Sequence, residues 1–146
     1  MSLGMDENVG THPLGDFDLD SLPIGAGTYG NVYKALNKRT QSTVAIKRSK
    51  RQRDSGIEVQ GYREIALLKA LDHPNVIQLH QVFLAPPESA NRRLHLVFDL
   101  FETDLCKHFK ALREKGGSLP ADAALMIARQ VLDGVDYLHR NWVMHR

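Results

Sequence analysis

The chain has 146 residues, 42% of them hydrophobic, and a formal net charge of +2 with 25% charged residues. That is one ordinary domain with enough apolar material for a core, and the near-balance of charge argues neither for nor against nucleic acid. The lone cysteine, Cys106, excludes an internal disulfide, no apolar run approaches the ~18 residues of a membrane span, and the MSLGMDENVG start lacks a basic-then-apolar leader, so a soluble intracellular protein is expected.

Residues 1–15 are polar, with scattered glycine and proline, and read as a disordered lead-in. Phe17 to Gly25 is expected as the first strand, with Pro23 demanding an edge or a bulge because it has no N–H for the ladder. Gly30 to Asn37 is the second strand, a turn runs through residues 38–42, and Thr43 to Arg48 is the third. Lys47, Arg48, Lys50, Arg51 and Arg53 then cluster; they are read as a solvated loop plus one strand lysine, with a nuclear-localisation or acidic-partner patch as the alternative.

Ser55-Gly56-Ile57-Glu58 has the form of a capping box, so a helix is expected from about Gly56 to Leu71, with Ile57, Ile65, Leu68 and Leu71 on one face. Asp72-His73-Pro74 ends it, and Gly61 inside it costs ~1 kcal/mol against alanine. Val76 to Leu84 and Leu94 to Phe98 are two further strands around a polar, proline-containing connection. Leu100-Phe101-Glu102 reads as a connector. Thr103 or Asp104 caps a helix to about Arg113, Pro120 fits the first turn of a long helix to Arg140, and Trp142-Val143-Met144 reads as a short strand. Leu125, Ala128, Val131, Leu132, Val135 and Leu138 form the apolar stripe of the long helix.

The most informative stretch is Ile24 to Lys47, with Gly25, Gly27 and Gly30 in a G-x-G-x-x-G-x-V pattern and a terminal V-A-I-K. Glycines at this spacing let a backbone approach a polyphosphate closely. A P-loop needs Lys and Ser/Thr directly after its last glycine, whereas Asn31 and Val32 follow Gly30. A dinucleotide-binding fold needs a helix there and an acidic residue about 20 positions on; the alternation of Asn31 to Leu36 is instead that of a strand. What survives is two antiparallel strands joined by a glycine-rich flap, then a third strand carrying Lys47. An ammonium on a flexible stem has to be aimed, and Glu64, 17 residues on, is the candidate, against the plainer reading of an exposed helix glutamate near Lys69. Ile24, Val32 and Ala45 are candidates for an apolar roof over a base, and Phe98 to Phe101 for its backbone edge.

In order along the chain, IGAGTYGNV, VAIK, YREIALL, HPNVI, LVFDLFETDL and YLHRNWVMHR resemble the motifs of the protein kinase family over residues 18–146. Within it, GTYG, REIALLKALDHPNVI and LVFDLFETDL resemble the cyclin-dependent kinases, and REIALL, HPNVI, VFL and the closing YLHRNWVMHR the Mediator-associated, cyclin C-binding branch. The resemblance implies an α+β fold: a kinase N-lobe over residues 16–100, made of a five-stranded antiparallel sheet plus one helix, then the hinge and the first helices of a C-lobe over residues 101–146. It implies a nuclear serine/threonine kinase using ATP and Mg2+, acting on protein substrates, with no membrane and no direct nucleic-acid partner. Carried over, Gly25, Gly27 and Gly30 cover the phosphates, Ile24, Val32 and Ala45 the base, and Lys47 pairs with Glu64. Phe98 is the gatekeeper, the Asp99 carbonyl and Phe101 amide hold adenine, and Asp104 reaches the ribose. Thr28 and Tyr29 match flap positions of inhibitory phosphorylation, and the helix with Tyr62 and Arg63 matches the cyclin-docking helix. Arg63 and Arg146 match arginines that receive an activation-loop phosphate.

EVQGYRE departs from the usual cyclin-recognition sequence at Gly61 and Tyr62. His145-Arg146 stands where the family continues with H-R-D-x-x-x-x-N, whose Asp is the catalytic base, and later with the metal-holding D-F-G. The 146 residues alone are therefore expected to be inactive and to hold no metal, and a truncated cyclin-binding module is the alternative function.

Overall fold

The computed structural model describes residues 13–28, 30–50, 59–85 and 93–144. After a 3-10 turn at Pro13–Asp16 come β1 (Phe17–Leu19), β2 (Gly25–Ala26), β3 (Gly30–Asn37), β4 (Ser42–Ser49), α1 (Val59–Ala70), β5 (Leu79–Ala85) and β6 (Arg93–Asp99). Helices α2 (Leu105–Glu114) and α3 (Ala121–Arg140) follow. The strands form one antiparallel sheet in the order β1-β3-β4-β6-β5, with β2 also paired to β3. This is the α+β architecture that the resemblance implies, an antiparallel sheet with one helix followed by two further helices.

The sheet has six strands rather than the expected five because the first strand breaks. Leu19 lies opposite Ala35, but Gly25 lies opposite Val32, so the β1–β2 segment carries three more residues than the β3 stretch it faces. Asp20 N–H still donates to Lys34 O and Ile24 N–H to Val32 O. Between those two bonds Ser21-Leu22-Pro23 loops off the edge, which is where a residue without an N–H has to go.

Strand alternation divides the core into two layers. Phe17, Ala35, Val44, Ile46, Phe83 and Val97 pack on one face, with Leu14 and Leu19 against them. Phe83 stacks on Phe17 and on the buried His95, whose Nδ1 donates to Arg93 O. On the other face Ala45, Leu79, Leu94, Leu96 and Phe98 pack with Val32 and with Ile65 and Leu68 of α1. Leu71 is buried just past that helix. The expected helical face is thus the one that docks; Ile57 and the capping box lie outside the described residues. β5 starts at Leu79 rather than Val76, since residues 74–76 turn, Val76 N–H donating to His73 O.

Asp104, not Thr103, caps α2. Pro120 stands at the N-cap of α3 rather than in its first turn and brings no side-chain acceptor. Trp142-Val143-Met144 is not a strand. Trp142 takes φ 59° and its N–H donates to His139 O, while Val143 N–H donates to Leu138 O. These two bonds close the helix as a Schellman motif, which satisfies the last carbonyls without any strand partner.

The loop after α1 is fastened to α3. Asp72 N–H donates to Tyr137 Oη at 2.9 Å, His73 stacks on the Tyr137 ring, and Asn75 Nδ2 donates to Asp133 Oδ2 at 2.9 Å. A Cβ on Gly134 would lie 2.9 Å from Asn75 O, so glycine lets the helix backbone meet the loop. Of the apolar stripe of α3, Leu125, Ala128, Val131 and Leu132 are exposed, while Val135 and Leu138 are half-buried.

Candidate nucleotide site

The register places the site residues in rows. Val32 lies opposite Lys47 and Lys47 opposite Leu96; Ala45 lies opposite Phe98. Cross-strand partners share a face, so Lys47 emerges from the same apolar layer as Val32, Ala45, Leu96 and Phe98, toward α1. Glu64 sits on α1 one residue before Ile65 and four before Leu68, the residues that dock the helix. Packing α1 therefore delivers its carboxylate to the lysine, and Lys47 Nζ donates to Glu64 Oε1 at 2.5 Å. Their side chains remain 25% and 39% exposed, so the pair adds well under the strength of a buried bridge, on the order of 0–1 kcal/mol. Its consequence is geometric: it holds the ammonium on the sheet face that carries Val32, Ala45 and Phe98.

That flap is the β2–β3 hairpin, closed by Gly27 N–H donating to Gly30 O at 2.9 Å. Its glycines are not equivalent. A Cβ on Gly30 would come within 2.5 Å of Arg48 O, so the β3–β4 backbones themselves require glycine there. Among the described residues a Cβ on Gly25 would meet only Val32 Cβ at 3.9 Å, and one on Gly27 only Gly30 O at 3.7 Å, both ordinary contacts. Neither of these two has a positive φ. The fold does not ask for glycine at Gly25 or Gly27. Residue types that bare the backbone where the fold has no need of it suit a bulky ligand coming from outside.

Ile24 and Thr28 are exposed, Val32 is half-buried and Ala45 and Phe98 are buried. Asp99 ends β6 exposed, and Phe101 stands exposed on the connector. Asp104 is already engaged: its Oδ1 accepts from Lys107 N at 2.7 Å and its Oδ2 faces Lys107 Nζ at 3.3 Å. The backbone N–H of Lys107, before all else, holds the Asp104 carboxyl below the ordinary aspartate value. A carboxylate has lone pairs to spare, so the cap and a ribose hydroxyl are compatible partners. Arg63 is exposed on α1. Tyr29 and Arg146 lie outside the described residues, as does the side chain of Tyr62. Among the described residues no three His, Cys, Asp or Glu side chains converge to hold a metal ion, and no helix is long and apolar enough to cross a membrane.

The basic cluster is partly absorbed by the fold. Lys47 is held by Glu64, and the Arg48 guanidinium lies 4.4 Å from the Tyr33 ring centroid and donates to the Tyr33 hydroxyl. Arg51 and Arg53 lie outside the described residues. Sequence reading missed the Tyr33–Arg48 contact, the fastening of residues 72–75 to α3 and a contact between His80 and Asp99. The signals were faint: a helix-stop tripeptide for the second, and a lapse of strand alternation at His80-Gln81 for the third.

The model of the protein kinase domain matches residues 20–146. The chain belongs to the protein kinase family. It is 41% identical over 128 residues to the probable cyclin-dependent kinase 8 of Dictyostelium discoideum, a match covering 86% of this chain and 33% of that protein. It is 38% identical over 124 residues to cyclin-dependent kinase D-1 of Arabidopsis thaliana, covering 84% of this chain and 29% of the other. Both relatives are cyclin-dependent kinases by name, in line with the group that the motifs resemble. The kinase chain described here spans about a third of the length of these curated relatives.

Proposed function

We propose that this chain is the nucleotide-gripping part of a serine/threonine protein kinase of the cyclin-dependent type, which moves the γ-phosphoryl of ATP to a protein hydroxyl. The observation that carries this reading is the Lys47–Glu64 pair, on the strand next to a flap whose Gly25 and Gly27 meet only ordinary contacts among the described residues. In it Lys47 supplies positive charge to the α- and β-phosphates, and Glu64 aims it. The flap backbone covers the phosphates, and Gly30 keeps the flap seated on β4. Ile24, Val32 and Ala45 roof the base, Phe98 closes the back, the Asp99 carbonyl and Phe101 amide hold adenine, and Asp104 accepts from the ribose. Mg2+ would neutralise the phosphate charge. The chain spans about a third of the length of its curated relatives, so nucleotide binding is assigned to these residues and transfer to the whole kinase.

ATP titrated into the 146-residue chain tests the grip. Lys47→Met and Glu64→Gln are expected to weaken binding by roughly tenfold or more while moving stability by about 1 kcal/mol at most, because the pair is accessible to solvent. Unchanged affinity in both variants would sink the assignment. Peptide phosphorylation by this chain alone, lost in Lys47→Met, would overturn the division between binding and transfer.

A second reading is favoured by α1, whose Arg63 and Leu67 are exposed on the side away from the sheet. There the helix with Tyr62 and Arg63 would capture a cyclin, with cyclin C the first to try, and a Mediator-associated, nuclear role would follow. Phosphate on Thr28 or Tyr29 would repel the phosphates of ATP. Tyr62→Ala is expected to weaken capture of cyclin C in a pull-down; equal capture would count against docking at that residue.

A further inference from the structure

β5 is one edge strand of the sheet, and it is not regular. Leu79 lies opposite Phe98 but Gln81 lies opposite Val97, so two steps along β5 face one step along β6 and His80 is the extra residue of a bulge. A bulge re-aims the side chain it carries, and here the His80 ring reaches along the edge to the last residue of β6: Nε2 lies 2.8 Å from Asp99 Oδ1. An ionised carboxylate only accepts, so the shared proton sits on Nε2 of His80. Asp99 alternates with Phe98, and its carboxylate therefore leaves the sheet on the face opposite the nucleotide side. The strand ends at this residue and the connector to α2 begins.

We propose that His80 is a positioning residue for the nucleotide site: by holding the Asp99 carboxylate from behind, it sets the backbone carbonyl of Asp99 and the start of the connector at the angle adenine requires. The inference rests on the nucleotide reading above. The side chain that the bulge presents is engaged with the β6 residue whose carbonyl has been assigned to adenine.

The test is ATP affinity of the full 146-residue chain by titration calorimetry, with thermal midpoints measured alongside. His80→Leu keeps bulk but cannot donate, whereas His80→Gln retains an N–H at similar reach. His80→Leu is expected to bind ATP roughly threefold to tenfold more weakly, and His80→Gln within about twofold of the unaltered chain. Asp99→Ala is expected to match His80→Leu, and the double variant to be no weaker than Asp99→Ala alone. Full affinity in His80→Leu overturns the proposal, as does an equal loss in His80→Gln, since a donor would then be immaterial. Absence of ATP binding by the unaltered chain would overturn the nucleotide reading itself, and this inference with it.

Discussion

Lys47 and Glu64 are 17 positions apart, and nothing local brings them together; the pairing comes from a strand register on one side and the docking of Ile65 and Leu68 on the other. At this scale the glycines separate structure from ligand. Gly30→Ala drives a Cβ against a backbone carbonyl that two paired strands hold in place, and is expected to cost about 1–3 kcal/mol in urea unfolding. Gly25→Ala and Gly27→Ala meet only ordinary contacts and are expected to leave stability within about 0.5 kcal/mol, or to raise it slightly. The same two are expected to lower ATP affinity. A stability loss at Gly25 as large as that at Gly30 would show that the fold needs it.

At the scale of elements, helix ends carry the testable content. The N-terminus of α2 rests on the Asp104 carboxylate, whose proton affinity is lowered chiefly by the Lys107 N–H it accepts from. A folded-state value below the unfolded one means a contribution fully present above the ordinary aspartate value of 3.8 and lost as pH falls beneath it. Circular dichroism from about pH 5 downward is expected to show α2 fraying in that window, and Asp104→Asn, which caps without titrating, to remove that component. Unaltered acid fraying in Asp104→Asn would assign it elsewhere. At the far end of α3, Trp142 holds a left-handed conformation that L side chains resist. Trp142→Gly relieves it and is expected to raise stability by about 1 kcal/mol in thermal unfolding. A lower midpoint would mean that the 97% exposed indole contributes something the backbone argument omits.

Across the whole molecule, the sheet with α1 is internally packed on two layers, whereas α3 is gripped at Asp133, Gly134 and Tyr137 and open along Leu125, Val131 and Leu132. Apolar side chains held in solvent promote association. Leu125→Glu with Leu132→Lys is expected to increase the soluble fraction at high concentration while the thermal midpoint stays within about 2 °C, because these side chains are 72% and 68% exposed. A large fall in the midpoint would show that the stripe is packed against something in solution.

What the chain alone determined is what depends on neighbours in sequence. The β3 strand at Gly30–Asn37, the Pro23 interruption, the span of α3 and the order of the kinase motifs follow from alternation, helical period and missing N–H groups, which are local properties. The distinction between Gly30 and the other two flap glycines was invisible, because it depends on where the Arg48 carbonyl lies on another strand. Trp142-Val143-Met144 has the composition of a strand, yet α3 uses the N–H groups of Trp142 and Val143 to finish its own carbonyls, and a bond to the helix end available at once wins over a ladder with no neighbour. The His80 bulge and the fastening of residues 72–75 to α3 likewise appear only when strands and helices are set against one another. Periodicity says which face of an element is apolar; only packing decides which polar atom waits on the other side.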